Sequence, residues 1–365
     1  MTLIPESQLA SAGKILFITH LAIGDFTYLQ NFFKAFGETY PHIDIDLWID
    51  EVRSTADPAK WEFLKKYSLY DWAESCSFFR KIYRQTYSPD LRQASILAAR
   101  QEHYPLVVSI ATLRPNQYAA LARDIGPEAL VIGIKKKTPW YAPWQSADYQ
   151  KLDTSFAAYR APASGYHITD VYADWFRQLA GLELDHAARF PFVTIPAQWS
   201  LDAEQQFQKW NAGKPEAERK AVFINTFAKT PKRSWPLHHA ASLIIAMRAL
   251  PAWKNTLFII NAVPQEMAQA KKILDDFQLQ DAHLFSADQN FFQLPAMLQR
   301  CDLIISVETA VMHLANAVHV PVIALMRQKN PEWVPIDSAN SKIITTQHRR
   351  EWIKSISVER VIDAL

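Results

Sequence analysis

Twice along the chain, short apolar runs alternate with stretches patterned for helices, and this alternation limits the fold more than any other feature. The first series opens at Lys14–His20 (KILFITH), an apolar run suited to a buried parallel strand. A loop, LAIGD, leads into a helix from Phe26 to Phe36, with Phe32, Phe33 and Phe36 at helical spacing. Ile43–Ile49 (IDIDLWI) alternates apolar and polar residues as a strand does. Strands at Leu106–Ile110 and Leu130–Ile134 flank a helix around Gln117–Arg123, and a helix at Thr169–Leu179 closes this half. The segment Glu183–Lys220 breaks the pattern with Pro191, Pro196, Gly213 and Pro215, and reads as a connection holding one helix near Asp202–Trp210. The second series follows. Its strands are Ala221–Asn225, Thr256–Ile260, His283–Phe285, Leu303–Ser306 and Pro321–Leu325. Its helices are Leu237–Leu250, Pro264–Phe277, Phe292–Gln299 and Val311–Ala317, with a last one at Ser357–Leu365.

Such alternation implies parallel sheets covered by helices on both faces. The expected fold is α/β, with two doubly wound domains at residues 1–180 and 220–350, a connection at 181–219, a C-terminal helix at 351–365, and a cleft between the domains. Ligands of such sheets bind beyond the carboxyl ends of the strands. The loops after His20, Asn225, Ile260 and Ser306 therefore hold the candidate chemistry.

Composition narrows the partners. A net charge of +2 gives no global field toward nucleic acid or membrane, so an anionic partner would need a local patch. Cys76 and Cys301 are the only cysteines, too few for a disulfide framework, and a reducing, cytoplasmic setting is expected. Met1–Lys14 lacks a basic segment followed by an apolar run, so no signal peptide is expected, and no window is apolar enough to span a membrane.

In the first loop, Gly24 permits a tight turn from strand to helix and Asp25 sits at the helix start. There Asp25 is either a structural N-cap or a base that takes a proton from an acceptor hydroxyl. The second loop, Asn225 to Pro236, places Thr226, Lys229, Lys232 and Arg233 between a strand and a helix, which suits a phosphate or simply a solvated basic loop. In the third, Ser306 to His313, Thr309 can cap a helix whose first-turn amides face an anion, with His313 one turn on and Glu308 before it. Glu266, in the first turn after Ile260, favours the helix dipole or binds ribose hydroxyls. Lys135, Lys136 and Lys137 form a solvated face or steer an anionic acceptor. His20 is a further candidate with no assigned role. No residues stand at metal-ligand spacing, and no dinucleotide fingerprint, P-loop or nucleophile elbow is present.

Three segments in order resemble glycosyltransferase family 9, the heptosyltransferases of bacterial lipopolysaccharide core assembly. They are KILFITHLAIGDFTYLQNFFKAFGETYPHIDIDLWIDE, NTFAKTPKRSWP and CDLIISVETAVMHLANAVHVPVIAL. The last is similar to the family's D-L-x-x-x-x-D-T-G-x-x-H-L-A signature. The resemblance implies a GT-B fold of two Rossmann-like domains, an N-terminal acceptor-binding one and a C-terminal donor-binding one. It implies metal-independent, inverting transfer of heptose from ADP-heptose to a lipid A-linked core acceptor. The nucleotide sugar is then a co-substrate with no further cofactor, and the partners are that donor and an anionic glycolipid at the inner-membrane surface, not nucleic acid. By the resemblance Asp25 is the base, with Gly24, Lys135, Lys136 and Lys137 on the acceptor side. Lys232 neutralises the donor diphosphate with Thr226, Lys229 and Arg233. Thr309 and His313 bind phosphate, and Glu266 and Glu308 complete the donor site.

The sequence departs from the family in two ways. Its D-T-G reads Glu308-Thr309-Ala310, and all eight glycines lie between Gly13 and Gly213, so the expected donor domain has none. The family's glycine before Glu266 is lost within Asn261-Ala262-Val263-Pro264, and another is missing around Met326-Arg327. Phosphate loops use glycine for close backbone approach, so side chains and helix N-termini must serve here. The alternatives are a different nucleotide-sugar donor on the same fold, or a catalytically silent member that binds a saccharide or nucleotide.

Overall fold

The computed structural model describes residues 2–66, 68–158, 165–212, 219–279 and 281–365. Gly213 and Pro215 of the connection lie outside the described residues. The chain divides into two units, Met1–Arg189 and Phe190–Leu365, a division inside the segment read as the connection.

The first unit is built on six parallel strands: β1 (Lys14–Thr19), β2 (Asp44–Ile49), β3 (Lys81–Tyr83), β4 (Leu106–Ser109), β5 (Leu130–Ile134) and β6 (Thr154–Phe156), ordered β3-β2-β1-β4-β5-β6. The central strands β1 and β4 are buried on both faces, which explains their unbroken apolar runs. On one face the helix Ile23–Thr39 packs Phe32, Phe33 and Phe36 against Phe17 of β1 and Phe176 of the helix Ile168–Ala180. All five rings are fully buried, each removal from water stabilising by about 1.5–3 kcal/mol. Gly181 ends the second of these helices in the left-handed conformation at φ 68°, the usual helix stop.

The second unit repeats the plan with β7 (Ala221–Asn225), β8 (Leu257–Asn261), β9 (Ala282–Phe285), β10 (Leu303–Val307), β11 (Val322–Met326) and β12 (Ser341–Thr345), all parallel, ordered β12-β11-β10-β7-β8-β9. The helix Ala197–Asn211, expected within the connection, belongs to this unit. In each sheet the strand order reverses once, between β1 and β4 and between β7 and β10. Loops leaving neighbouring strands diverge there and open a crevice at the carboxyl ends.

Three expectations need correction. The helix read as Pro264–Phe277 is a 3-10 turn, Pro264–Glu266, followed by an α-helix at Met267–Asp276. Strands β3, β6 and β12 and the helix Pro89–Arg100 add to the expected series: the strands are edges of three to five residues without an apolar run, and the helix is rich in polar residues. The alternation in β2 normally marks a strand with one exposed face, yet Asp46 is fully buried beside Ile45 and Leu47.

Candidate active site

In the first unit the chain leaves β1 and enters the helix Ile23–Thr39 with Ala22 as N-cap. LAIGD is thus half helical: Gly24 and Asp25 are the second and third residues of the helix. The described glycines with left-handed φ are Gly165 and Gly181, so Gly24 makes no strained turn, and the chain bends before it at His20–Ala22. Asp25 is not the N-cap. It occupies the third position, where its Oδ2 accepts the Ala22 N–H at 3.2 Å, half of a capping box whose other half alanine cannot supply. Its Oδ1 accepts from the Tyr172 hydroxyl, also at 3.2 Å. Both carboxylate oxygens are therefore oriented, one by the helix start and one by the helix Ile168–Ala180. Tyr172 escaped sequence reading because nothing local links it to a loop 147 residues earlier.

His20 closes the other side of this edge. Its ring stacks on Tyr118 at 5.7 Å, and its Nε2 accepts the Leu113 N–H at 3.2 Å. The neutral ring therefore carries its proton on Nδ1, a buried atom with no hydrogen-bond partner among the described residues. Burial lowers His20 from 6.5 to about 4; the Asp50 carboxylate opposes this and Lys136 adds to it. As pH falls below 6.5 an unfolded chain takes up this proton while the folded chain does not. Folded-state stability is therefore full above 6.5 and declines toward pH 4, by about 1.4 kcal/mol per pH unit. Urea titrations between pH 7 and 4.5 should show a shallower decline in His20→Gln; identical pH profiles would contradict a neutral His20.

The three lysines after β5 are exposed but not equivalent. The Lys136 ammonium donates to the Thr112 carbonyl at 2.6 Å, tying its loop to the one after β4, and Lys135 lies 6.0 Å from the Tyr149 ring centroid. Just beyond them Trp140, Tyr141 and Trp144 are 92%, 66% and 63% exposed.

In the second unit the site is a string of side-chain hydrogen bonds across three strand ends. Asn261, last in β8, donates through Nδ2 to Asn225 Oδ1 at 2.9 Å. Asn225, last in β7, donates to Ser306 Oγ in β10 at 3.1 Å and to Thr309 Oγ1 at 2.9 Å. Sequence reasoning missed both asparagines, although both end apolar runs (AVFIN, LFIIN), where a terminal amide is the available signal. Thr309 holds the N-cap position of the helix Ala310–Ala317, but its hydroxyl makes no capping bond and turns to Asn225 instead. The expected side-chain cap is thus absent; of the first-turn amides, that of Met312 donates to the Thr309 carbonyl at 3.3 Å. His313 is buried, 5.8 Å between ring centroids from Trp333. The Thr226 hydroxyl is buried with no partner among the described residues.

The basic loop is pinned from inside. The Trp235 indole donates to the Ile356 carbonyl at 2.8 Å, and Ser234 Oγ accepts the Ala228 N–H at 3.1 Å. Lys229 and Lys232 remain exposed and Arg233 is half-buried in a 3-10 turn, with the Lys232 ammonium 5.9 Å from the Trp352 ring centroid. Glu266 is half-buried, next to the start of the helix Met267–Asp276. Glu308 is buried and bound by Arg327.

Both cysteines are buried free thiols, and burial pushes Cys76 up to about 12 and raises Cys301 further, so neither is a nucleophile. Among the described residues no group of three or more His, Cys, Asp or Glu is placed to hold a metal ion, and no helix is long and apolar enough to cross a membrane.

Residues 129–358, more than half of the 365, match the family model of glycosyltransferase family 9 (heptosyltransferase). The chain belongs to this family. It is a glycosyltransferase whose two sheets have the GT-B plan. The family 9 chain also resembles solved structures. A family 9 glycosyl transferase from Veillonella parvula DSM 2008 shares 16% identity at a TM-score of 0.71, over 96% of this chain and 95% of the other. E. coli ADP-heptose lps heptosyltransferase II shares 15% at 0.66, over 96% of each. E. coli heptosyltransferase WaaC with ADP shares 12% at 0.66, over 96% of this chain and 98% of the other. At these identities the likeness shows the fold. No curated protein sequence matches the chain.

Proposed function

We propose that this family 9 glycosyltransferase moves heptose from ADP-heptose to a lipid A-linked core acceptor, with inversion and without a metal. The observation that carries the reading is the Asp25 carboxylate, fixed by two hydrogen bonds at the carboxyl edge of β1. Inversion in one displacement needs a base on one face of the sugar and charge stabilisation at the leaving group. Asp25 takes the proton of the acceptor hydroxyl as its oxygen bonds to the anomeric carbon. The bond from that carbon to the diphosphate breaks, and ADP leaves with the electron pair. Lys232, with Lys229, Arg233 and Thr226, neutralises the diphosphate; the amides after Thr309 add to it through the helix N-terminus. Thr309 and His313, one turn apart on that helix, bind phosphate, and Glu266 holds the nucleoside side. Glu308 acts through Arg327. E. coli ADP-heptose lps heptosyltransferase II, and E. coli heptosyltransferase WaaC solved with ADP-2-deoxy-2-fluoro heptose, support the choice of donor. Thermal-shift measurements should show stabilisation by ADP-heptose above UDP- and GDP-sugars. Preference for another nucleotide would replace the donor, and stabilisation by none would remove the reading.

The acceptor is an anionic amphiphile, and we place its approach at the loop after β5. Trp140, Tyr141 and Trp144 are amphipathic rings of the kind that settle at a headgroup boundary, and Lys135, Lys136 and Lys137 supply the charge that anionic lipid attracts. The enzyme then works peripherally at the cytoplasmic membrane face. Replacing the three rings by serine should cut partition onto phosphatidylglycerol-containing vesicles by at least ~10-fold. Unchanged partition would move the contact elsewhere.

A further inference from the structure

The two departures of the donor domain meet in space. Glu308 directly follows β10 and Arg327 directly follows β11, neighbouring strands paired at Val307 and Leu325. Glu308 Oε2 accepts the Arg327 backbone N–H at 3.3 Å and its Nε at 3.1 Å, and Oε1 accepts Nη2 at 3.2 Å. Glu308 is 4% exposed and the arginine side chain 14%, so this is a largely buried, bidentate pair. It occupies Nε and one hydrogen of Nη2. Arginine has five N–H donors, and the remaining three make no hydrogen bond among the described residues. Arg327 as a residue is half-buried, so these donors keep contact with solvent and stand open to a ligand. The Thr226 hydroxyl, just past β7 on the same sheet edge, is buried with no hydrogen-bond partner among the described residues, a condition that is costly without a ligand. Both can donate hydrogen bonds, and donors of this kind suit phosphate oxygens.

We propose that Arg327, positioned by Glu308, binds the diphosphate of the donor and replaces the close backbone approach that glycines provide. The sequence shows why a substitute is needed: Ala310 adds a Cβ at the helix start, and the chain has no glycine after Gly213. Glu308 is then a positioning residue, its carboxylate committed to the guanidinium and not to a sugar hydroxyl.

The inference rests on the donor reading above, and its test separates the two. ADP and adenosine are titrated by ligand-observed NMR into the wild type, Arg327→Gln, and the double variant Arg327→Gln/Glu308→Gln. The single variant strands a buried carboxylate and loses thermal stability; the double variant removes both charges and recovers it. In the double variant ADP affinity should fall about 10- to 100-fold with adenosine affinity unchanged. Wild-type ADP affinity in the double variant would overturn the inference, as would equal losses for ADP and adenosine, which mark a distorted site. Absence of ADP binding to the wild type would overturn the donor reading itself and this inference with it.

Discussion

Asp25→Asn should lower the turnover number by at least ~100-fold, the scale of a lost general base, while donor affinity stays at the wild-type value. The substitution is nearly isosteric. The side-chain carbonyl of the amide can still accept the Ala22 N–H, and its NH2 can donate to the Tyr172 hydroxyl, which accepts as readily as it donates. What disappears is the negative charge and its basicity. Loss of the charge from the first helical turn costs about 0.3–1 kcal/mol of stability, too little to unfold the unit. Donor affinity is spared because the proposed phosphate-binding groups lie in the second unit. Single-turnover transfer with saturating donor reads the chemical step, and a direct titration reads donor binding. Turnover near wild type would remove Asp25 from the mechanism; a parallel fall in donor affinity would make it a donor-binding residue. Tyr172→Phe separates orientation from basicity, because it removes one hydrogen bond and keeps the carboxylate.

The parts of the fold that could be read in the sequence are those whose burial is uniform. Strands β1, β4, β5, β7 and β10 are apolar on both faces and announce themselves within a residue or two. Edge strands β3, β6 and β12 do not, because a strand paired on one side and wetted on the other needs no apolar run; β12 carries two exposed residues among its five. The loops of the site could be located, because topology alone sends ligands to the carboxyl ends. Their internal geometry could not. Whether Asp25 is the cap or the third residue depends on where the helix begins, a matter of three residues that no propensity resolves. Thr309 stands where a cap belongs, yet its hydroxyl is taken by Asn225, a partner 84 residues away. The Glu308–Arg327 pair was hidden for the same reason: a strand crossover separates its members in sequence, and only the parallel register of β10 and β11 puts them side by side.

Strand β2 gives the second large expected effect. Arg80→Met should destabilise the first unit by about 2–4 kcal/mol, because it strips the counter-charge from a fully buried carboxylate, the value reduced by solvent screening of the partly exposed arginine. Asp46 is fully buried, with Arg80 Nε at 3.0 Å from Oδ1, Arg80 Nη2 bonded to Oδ2, and the Tyr104 hydroxyl donating to the same oxygen. Burial and the adjoining Asp46 raise the Tyr104 hydroxyl far above its ordinary range, so it stays protonated and keeps donating. Tyr104 alone cannot replace the guanidinium. Methionine matches much of the arginine stem, so lost packing contributes little and the cost is electrostatic. The effect bears on function through the same strand. Just beyond the carboxyl end of β2, Asp50 accepts from Arg92 at 3.1 Å and from Tyr118 at 3.0 Å, the ring on which His20 stacks. Urea unfolding of Arg80→Met and of Arg80→Met/Asp46→Asn completes the test. The double variant should recover part of the loss, since an amide needs no counter-charge. A loss below about 1 kcal/mol in the single variant would mean that Tyr104 and water satisfy Asp46 without the arginine.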